Sequence, residues 1–154
     1  MDGLKEKETN ELRAEFPARE ENIALARTLA AAFVCGLDPL LSEVMDLKMA
    51  VSEAVTNAVI HGYAGSGTGR IAMECRRVGR QVSVRVQDWG AGIADVARAR
   101  EPLFTTCPQE ERSGMGFTVM EMLCDTVQVE SRPGAGTAVI LGKTFAEPGD
   151  GGHE

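Results

Sequence analysis

Residues 47–63 read LKMAVSEAVTNAVIHGY, and they are the most informative stretch of the chain because an apolar helical face carries polar side chains beside it. Asp38 and Pro39 ahead of this stretch are typical of an N-cap and a helix-opening proline, and Gly62 of a helix end. The sequence therefore predicts a core helix that ends at Gly62. Its buried face recurs at spacings of three and four: Leu40, Val44, Leu47, Val51, Val55 and Ala58.

A second row of side chains follows the same helix. At about 100° per residue, Glu53, Asn57 and His61 lie one turn apart, so a carboxylate, an amide and an imidazole line up. A Glu and an Asn at this spacing are most often solvated surface residues. Two later glycine-rich blocks favour a functional interpretation, DWGAGI at residues 88–93 and RSGMGF at residues 112–117.

Length, composition and charge narrow the class of protein. At 154 residues, 44% apolar and 25% charged, the chain predicts one domain over residues 11–145, between a polar leader (1–10) and a flexible tail (146–154). A net charge of −7 without a basic block argues against direct nucleic-acid binding, so a partner is expected to be a protein. No apolar run approaches the ~20 residues that span a bilayer, and the four cysteines lack metal-site spacing, so we expect a cytoplasmic protein with reduced thiols.

Alternating apolar residues bounded by turn residues predict five strands, at residues 11–18, 70–77, 81–87, 126–131 and 137–143. Pro17 closes the first strand, which suits the edge of a sheet. The second and third strands form a hairpin around Val78-Gly79-Arg80. Helical spacing predicts further helices over residues 20–35, with Gly36 as C-cap, and 116–123.

Residues 94–118 show no regular pattern before that last helix begins. A loop of this length inside a compact domain is usually functional and is often a lid. Thr105 in this segment is a candidate nucleotide-binding residue. Arg27 lies in the apolar row of the first helix, where a lone arginine is most often a snorkelling surface residue.

The polar row suits phosphoryl transfer with a divalent metal. Mg²⁺ takes one or two oxygen ligands from a protein and keeps waters, and the Asn57 amide can supply one such oxygen. Glu53, one turn away, is then placed to act as a general base near a γ-phosphate. The structural alternative for Glu53 is a buried acid paired with an arginine.

The glycine blocks suit the two ends of a nucleotide. Asp88 can accept the amino group of adenine, while Gly90 and Gly92 let the backbone approach the nucleotide, although an Asp and glycines after a strand also form plain turns. Ser113, Gly114, Met115 and Gly116 at a helix start would offer N–H groups to phosphates. Arg112 before them is placed to contact the γ-phosphate.

Three blocks in this order, E-x-x-x-N, D-x-G-x-G and a G-x-G before a helix, resemble the ATP site of the GHKL superfamily, which includes gyrase and histidine kinases. The similarity is closer to the bacterial anti-sigma F factors, which are sporulation serine-protein kinases. It is carried by VSEAVTNAVIHGY, EPLFTTCPQEERSGMGFTVME and GTAVIL, and it extends from about residue 11 to residue 143.

This resemblance implies a Bergerat-type two-layer α/β sandwich, with a mostly antiparallel mixed sheet covered on one face by helices. It also implies a homodimer that binds ATP and Mg²⁺, inhibits a sporulation sigma factor of the sigma F type, and phosphorylates a serine of an anti-anti-sigma factor. The roles carried over are Glu53 as catalytic base, Asn57 as Mg²⁺ ligand, Asp88 as adenine reader, Arg112 as γ-phosphate contact, Thr137 as an adenine-side polar group and Arg27 as a partner contact.

Two other functions fit parts of the sequence. The ATP-binding domain of a sensor histidine kinase would need a phosphoacceptor histidine on a dimerising helix, but His61 lies inside the ATP motif and His153 in the tail. A non-catalytic ATP-gated binding module would need Asn57, Asp88 and the glycines but no base, so only Glu53 argues against it.

Overall fold

The computed structural model describes residues 8–93, 95–101 and 116–148. Helices α1 to α4 and strands β1 to β5 follow one another along the chain as β1 (Thr9–Pro17), α1 (Glu21–Val34), α2 (Leu41–Asn57), β2 (Arg70–Val78), β3 (Gln81–Asp88), α3 (Val96–Ala99), α4 (Gly116–Leu123), β4 (Thr126–Arg132) and β5 (Gly136–Thr144). Among the predicted site residues, Thr105, Arg112, Ser113, Gly114 and Met115 lie outside the described residues, as do the first seven residues of the predicted leader and residues 149–154 of the predicted tail.

The five strands form one sheet in the order β1-β2-β3-β5-β4, with β1 at one edge as predicted. Every pairing between neighbouring strands of this sheet is antiparallel, which confirms the expected, mostly antiparallel sheet, and no parallel pair occurs among the described strands. The predicted hairpin is confirmed, with Gly79 and Arg80 between β2 and β3. The consequence for the site is that β3 and β5 are neighbours and Asp88 is opposite Thr137.

One face of the sheet carries the apolar side chains and packs against the helices, which gives the predicted two-layer α/β sandwich. Helix α2 lies between α1 and α4 and buries Leu47, Val51 and Val55, as its periodicity predicted. The sheet contributes alternating residues to the same core, because successive side chains of a strand point to opposite faces. These include Ile71, Met73, Cys75, Val82, Val84, Val86, Val139 and Leu141. Within the described ranges, no helix has both the length and the apolar character needed to cross a bilayer.

The junction between α1 and α2 differs from the prediction. Helix α1 continues into a tight turn at Cys35–Leu37, and the left-handed residue that ends it is Asp38, with φ of 51°, so Gly36 is not the C-cap. Helix α2 begins at Leu41, not after Asp38, and its N-cap is Leu40. The Leu40 N–H donates to Glu43 Oε1 at 2.9 Å, so a glutamate in the first turn replaces the predicted aspartate as the capping group.

The end of the central helix lies at Gly62, as predicted, but its last turn is wider than an α-helical turn. Residues Ala58–Gly62 form a π turn, in which the Tyr63 N–H donates to the Ala58 carbonyl five residues back. Single π turns of this kind occur often at functional sites.

Several predicted irregular segments contain ordered contacts. Residues Val96–Ala99 form a short helix, α3, capped by the Asp95 side chain, which accepts the Arg98 N–H at 3.1 Å. At the start of the predicted tail, the Ala146 N–H donates to Glu43 Oε2 at 2.8 Å, and Glu147 pairs with Arg80 at 3.5 Å. The first two residues of that tail are therefore attached to the body of the protein.

Candidate functional site

The site lies where the end of α2, the start of α4 and the ends of four strands meet. Strand register places Ile71, Asp88, Thr137 and Ser131 in one row across β2, β3, β5 and β4. Alternation along each strand puts this row on the face that packs against the helices, because Met73, Val86 and Val139, two positions away, are buried and Val129 is partly buried against the same core. The polar members of the row therefore face the end of the central helix.

Glu53 and Asn57 meet the first residue of α4. A methyl group added to Gly116 would lie 3.3 Å from Glu53 Oε1 and 3.4 Å from Asn57 Oδ1. The backbone at the start of α4 is thus in contact range of both side chains, which are half-buried. The structure therefore brings together the E-x-x-x-N pair and the one described residue of the second glycine block.

Asp88 is the buried carboxylate of this region, with 4% of its surface exposed. Its Oδ1 accepts the Gly90 N–H at 2.9 Å, and the Thr137 N–H also donates to the carboxylate. Burial raises the pKa of the Asp88 carboxyl above its ordinary value, and these two N–H groups lower it in part. The result is an acceptor fixed at the end of β3 by backbone donors.

Helix α2 ends directly against this carboxylate. A methyl group added to Gly62 would lie 2.8 Å from Asp88 Cγ, closer than packed atoms approach, so only glycine fits between the helix and the acid. The Gly62 carbonyl in turn accepts the Ala91 N–H at 2.8 Å. Gly62 is therefore more than the predicted helix end, since it also sets the distance between α2 and Asp88.

The glycines of the D-x-G-x-G block let protein backbones approach one another. A methyl group on Gly90 would lie 1.8 Å from the Gly62 carbonyl oxygen, and one on Gly92, whose φ is 76°, would lie 1.8 Å from the Arg132 carbonyl oxygen. The backbone of the D-x-G-x-G loop is therefore packed closely between the end of α2 and the β4–β5 turn. The packing of the protein itself explains why glycine stands at both positions.

Two residues of this region were not predicted from the sequence. Ser131 Oγ accepts the Ile93 N–H at 2.7 Å and lies 2.7 Å from Thr137 Oγ1. Tyr63 Oη accepts the Trp89 N–H at 2.7 Å and donates to the Arg70 carbonyl at 2.6 Å. Ser131 had a signal in the sequence, because it continues the inward alternation of Val127 and Val129.

The structure separates Arg27 from these residues. It is exposed on α1, an element that contributes no side chain to the row of Asp88, Thr137 and Ser131 or to the Glu53–Asn57 pair. This exposure fits both predictions for Arg27, a solvated surface residue and a contact for a protein partner.

The oxygen atoms of this region suit two kinds of ligand. Asp88 is an acceptor at the base of a buried corner, which suits an amino group with N–H donors. Glu53 Oε1 and Asn57 Oδ1 are hard oxygens beside the start of a helix, and they fit an ion such as Mg²⁺ that takes few protein ligands. Among the described residues, no group of three or more His, Cys, Asp or Glu side chains is placed to hold a metal ion.

Known proteins share the domain type of this chain and most of its length. Residues 16–143 match the family described as the histidine kinase-like ATPase domain. The anti-sigma F factor of Clostridium acetobutylicum is 48% identical over 137 residues, which are 89% of this chain and 95% of that protein. The anti-sigma F factor of Geobacillus stearothermophilus is 49% identical over 138 residues, which are 90% of this chain and 94% of that protein.

Two solved structures share the fold at low identity. The RsbU and RsbW domains of a Mycobacterium tuberculosis protein match with a TM-score of 0.66 and 20% identity, over 90% of this chain and 33% of that one. The histidine kinase domain of a blue-light activated kinase from Erythrobacter litoralis matches with a TM-score of 0.53 and 18% identity, over 84% of this chain and 62% of that one. At these identities the likeness shows the fold alone.

Proposed function

Because the chain belongs to the anti-sigma F factor family, within the histidine kinase-like ATPase domains, we propose that it is an ATP-dependent serine kinase that also holds a sporulation sigma factor. The ATPase domain implies ATP binding and a kinase type of activity. Our proposal adds the specificity for serine, the need for Mg²⁺ and the identity of both protein partners.

The observation that carries the proposal is the meeting of Glu53 and Asn57 with the start of α4. The buried Asp88 carboxylate would accept a hydrogen bond from the amino group of adenine, with Thr137 beside it. The phosphates would then extend toward the start of α4, where backbone N–H groups and the positive end of the helix dipole favour negative charge. A module that only binds ATP needs no carboxylate at that end, and Glu53 supplies one within contact range of Gly116.

Transfer to serine assigns separate tasks to these side chains. The serine oxygen of the partner forms a bond to the γ-phosphorus as the bond to the β,γ-bridging oxygen breaks, and ADP leaves with that electron pair. The serine proton passes to Glu53, which then releases it to water. Asn57 Oδ1 would hold Mg²⁺, which when bound offsets charge on the phosphate oxygens. The γ-phosphate contact by Arg112 and the phosphate contacts by Ser113, Gly114 and Met115 remain predictions, as does nucleotide binding by Thr105.

The proposed protein partners follow from the family. The relatives are anti-sigma F factors by name, which supports a sigma factor of the sigma F type as one partner of this chain. The anti-anti-sigma factor would be the serine phosphoacceptor, and Arg27, exposed on α1, would contact the partners. A homodimer is part of the same proposal.

The test is transfer of labelled γ-phosphate from ATP to an anti-anti-sigma factor. We expect label on a serine of that partner, stable in acid and labile in alkali, and none on this chain. Acid-labile label on a histidine would favour the histidine kinase alternative. Binding of ATP with no transfer to any partner would favour the non-catalytic module and would overturn the kinase proposal.

A further inference from the structure

The exposed side of α2 carries a row of large apolar side chains. Leu41, Met45 and Met49 follow one another at a spacing of four residues, and they are 74%, 58% and 54% exposed. Single exposed apolar residues are ordinary on protein surfaces, but residues at this spacing are neighbours on a helix, so these three form one continuous stripe. We call Leu41, Met45 and Met49 the α2 stripe.

The α2 stripe leads directly to the proposed catalytic groups. Continued at the same spacing of four, the row reaches Glu53 and then Asn57, both of which are half-buried. Each step of four turns the row by about 40° around the helix. The row therefore passes from the open surface to the start of α4, where Gly116 lies beside both side chains. Met49 is the member of the stripe next to Glu53, about one helical turn away.

A protein that presents a serine to Glu53 must cover more than this carboxylate. For proton transfer the serine oxygen has to come within hydrogen-bond reach of Glu53. Stable protein interfaces bury about 800 Å² on each partner, which corresponds to a patch of roughly 16 Å radius. A step of four residues advances about 6 Å along a helix, so Met49 and Met45 lie about 6 Å and about 12 Å from Glu53, inside such a patch. Leu41, at about 18 Å, lies at its edge.

We propose that the α2 stripe is the docking surface for the protein that carries the phosphoacceptor serine. The stripe fits a partner whose serine is bordered by apolar side chains, because methionine adapts its shape to the apolar surface that it meets. Burial of Met45 and Met49 holds this partner while its serine oxygen faces Glu53. The inference rests on the proposed serine kinase activity and adds the surface that selects the protein substrate.

The test compares transfer of γ-phosphate to the anti-anti-sigma factor by the unaltered protein and by a variant with both Met45→Gln and Met49→Gln, at saturating ATP. Glutamine has about the length and helix propensity of methionine, and both positions are exposed, so this double variant is expected to fold. Its KM for the partner should rise by at least about tenfold, with kcat and ATP affinity unchanged.

The matched control is Val78→Thr, which changes a similarly exposed apolar residue at the end of β2 far from the site. It should leave the KM for the partner unchanged. An unchanged KM in the double variant as well would overturn the inference.

Cross-linking identifies the occupant of the stripe independently of the kinetics. The photoreactive amino acid p-benzoylphenylalanine in place of Met49 should cross-link to the anti-anti-sigma factor in the presence of a non-hydrolysable ATP analogue, and in place of Val78 it should not. A cross-link from position 49 to the sigma factor instead, or to a second copy of this chain, would assign the stripe to that protein and would overturn the inference.

The outcomes also separate this inference from the proposed function. If the unaltered protein transferred no phosphate to any serine, the proposed kinase activity would be wrong, and the affinity of the double variant for the anti-anti-sigma factor would still test the stripe. Serine transfer by the unaltered protein, with the same KM in the double variant, would overturn the docking surface alone.

Discussion

At the scale of single residues, the buried Asp88 carboxylate costs stability that a surface carboxylate would not. Its pKa is raised above the ordinary 3.8 because of burial, so the folded chain binds this proton more tightly than the unfolded chain does. The stabilising effect of that proton is complete below the unfolded pKa and is lost as the pH rises through the folded pKa. Above its folded pKa the Asp88 carboxylate is therefore a charged group that weakens the fold.

We accordingly expect Asp88→Asn to gain stability relative to the unaltered protein as the pH rises from the unfolded pKa of Asp88 through its raised folded pKa, because an amide has no proton to lose. The same substitution should weaken ATP binding by about tenfold or more, since it removes a charged acceptor. Urea unfolding at a series of pH values, together with calorimetric titration of ATP, measures both effects. A stability difference that is independent of pH, or one that shrinks as the pH rises, would contradict the assignment.

Gly62 gives a second test at this scale. In Gly62→Ala the new methyl group would meet the Asp88 carboxyl at 2.8 Å, and the carboxyl is held in place by the Gly90 and Thr137 N–H groups. Alanine also favours a helix by roughly 0.5–1 kcal/mol over glycine, which offsets part of the cost to folding. The expected result is an ATP affinity lower by at least about tenfold, with a melting temperature within a few degrees of the original.

Gly36→Ala is the matched control, because nothing lies within 4 Å of a methyl group at Gly36. It should leave ATP affinity unchanged. Equal ATP affinities of the Gly62→Ala and Gly36→Ala proteins would show that Asp88, in its present position, does not bind the nucleotide.

At the scale of elements, Glu43 joins the start of α2 to the end of β5. One carboxylate oxygen caps the helix through the Leu40 N–H, and the other accepts the Ala146 N–H. Both N–H groups are part-buried, so each loses a partner if the carboxylate is removed. The chain after β5 is thus attached to the helix that carries Glu53 and Asn57.

Glu43→Ala is expected to lower the free energy of unfolding by about 1–3 kcal/mol, because it removes a helix cap and a second hydrogen bond. The control is Glu21→Ala, at an exposed acidic residue in the first turn of α1. That variant removes a similar charge near a helix start and should change stability by less than about 0.5 kcal/mol. Denaturant unfolding of both variants measures these changes. Equal losses of unfolding free energy in the two variants would mean that Glu43 acts only through its charge.

Sequence periodicity was sufficient to predict the helices and strands that bury one face. The face of α2, the hairpin of β2 and β3 and the edge position of β1 all follow from spacing and turn residues. The start of α2 could not be found in this way, because the sequence offered Asp38 as a good N-cap. Tertiary contacts selected Leu40 instead, since Glu43 also had to reach Ala146.

In the candidate site, too, some features could be predicted from the sequence and others depend on tertiary contacts. The spacing of Glu53 and Asn57 placed them on one side of a helix, and glycine after a strand marked the loop at Asp88. What spacing could not supply was strand order, and only the adjacency of β5 to both β3 and β4 places Thr137 between Asp88 and Ser131. Local pattern therefore identified the residues of the motifs, while the residue that links them required the sheet register.

At the scale of the whole molecule, partner binding and phosphoryl transfer are expected to be separable. Arg27 is exposed on α1, whereas Glu53 and Asn57 lie against the start of α4. Arg27→Ala should therefore bind ATP normally and hold its protein partners at least about 30-fold more weakly, as loss of an interface arginine commonly costs about 2 kcal/mol or more.

Arg13→Ala is the control for Arg27→Ala, because Arg13 is equally an exposed arginine but lies on the sheet face away from the helices. It should leave both ATP and partner binding unchanged. Surface-immobilised partner proteins allow the affinities to be compared in the presence of ATP. Loss of ATP affinity in Arg27→Ala, with partner binding intact, would contradict a partner contact by Arg27 and would indicate a structural role.

The most direct measurement of the central claim is the rate of γ-phosphate transfer to the partner's serine by Glu53→Gln, at saturating ATP and partner. The amide keeps the shape of Glu53 but cannot accept the serine proton, so the rate should fall by about 10²–10⁴-fold. The affinities for ATP and for the sigma factor should stay within about threefold of the original values, because neither binding step needs a base. Transfer at the full rate by Glu53→Gln would contradict the account.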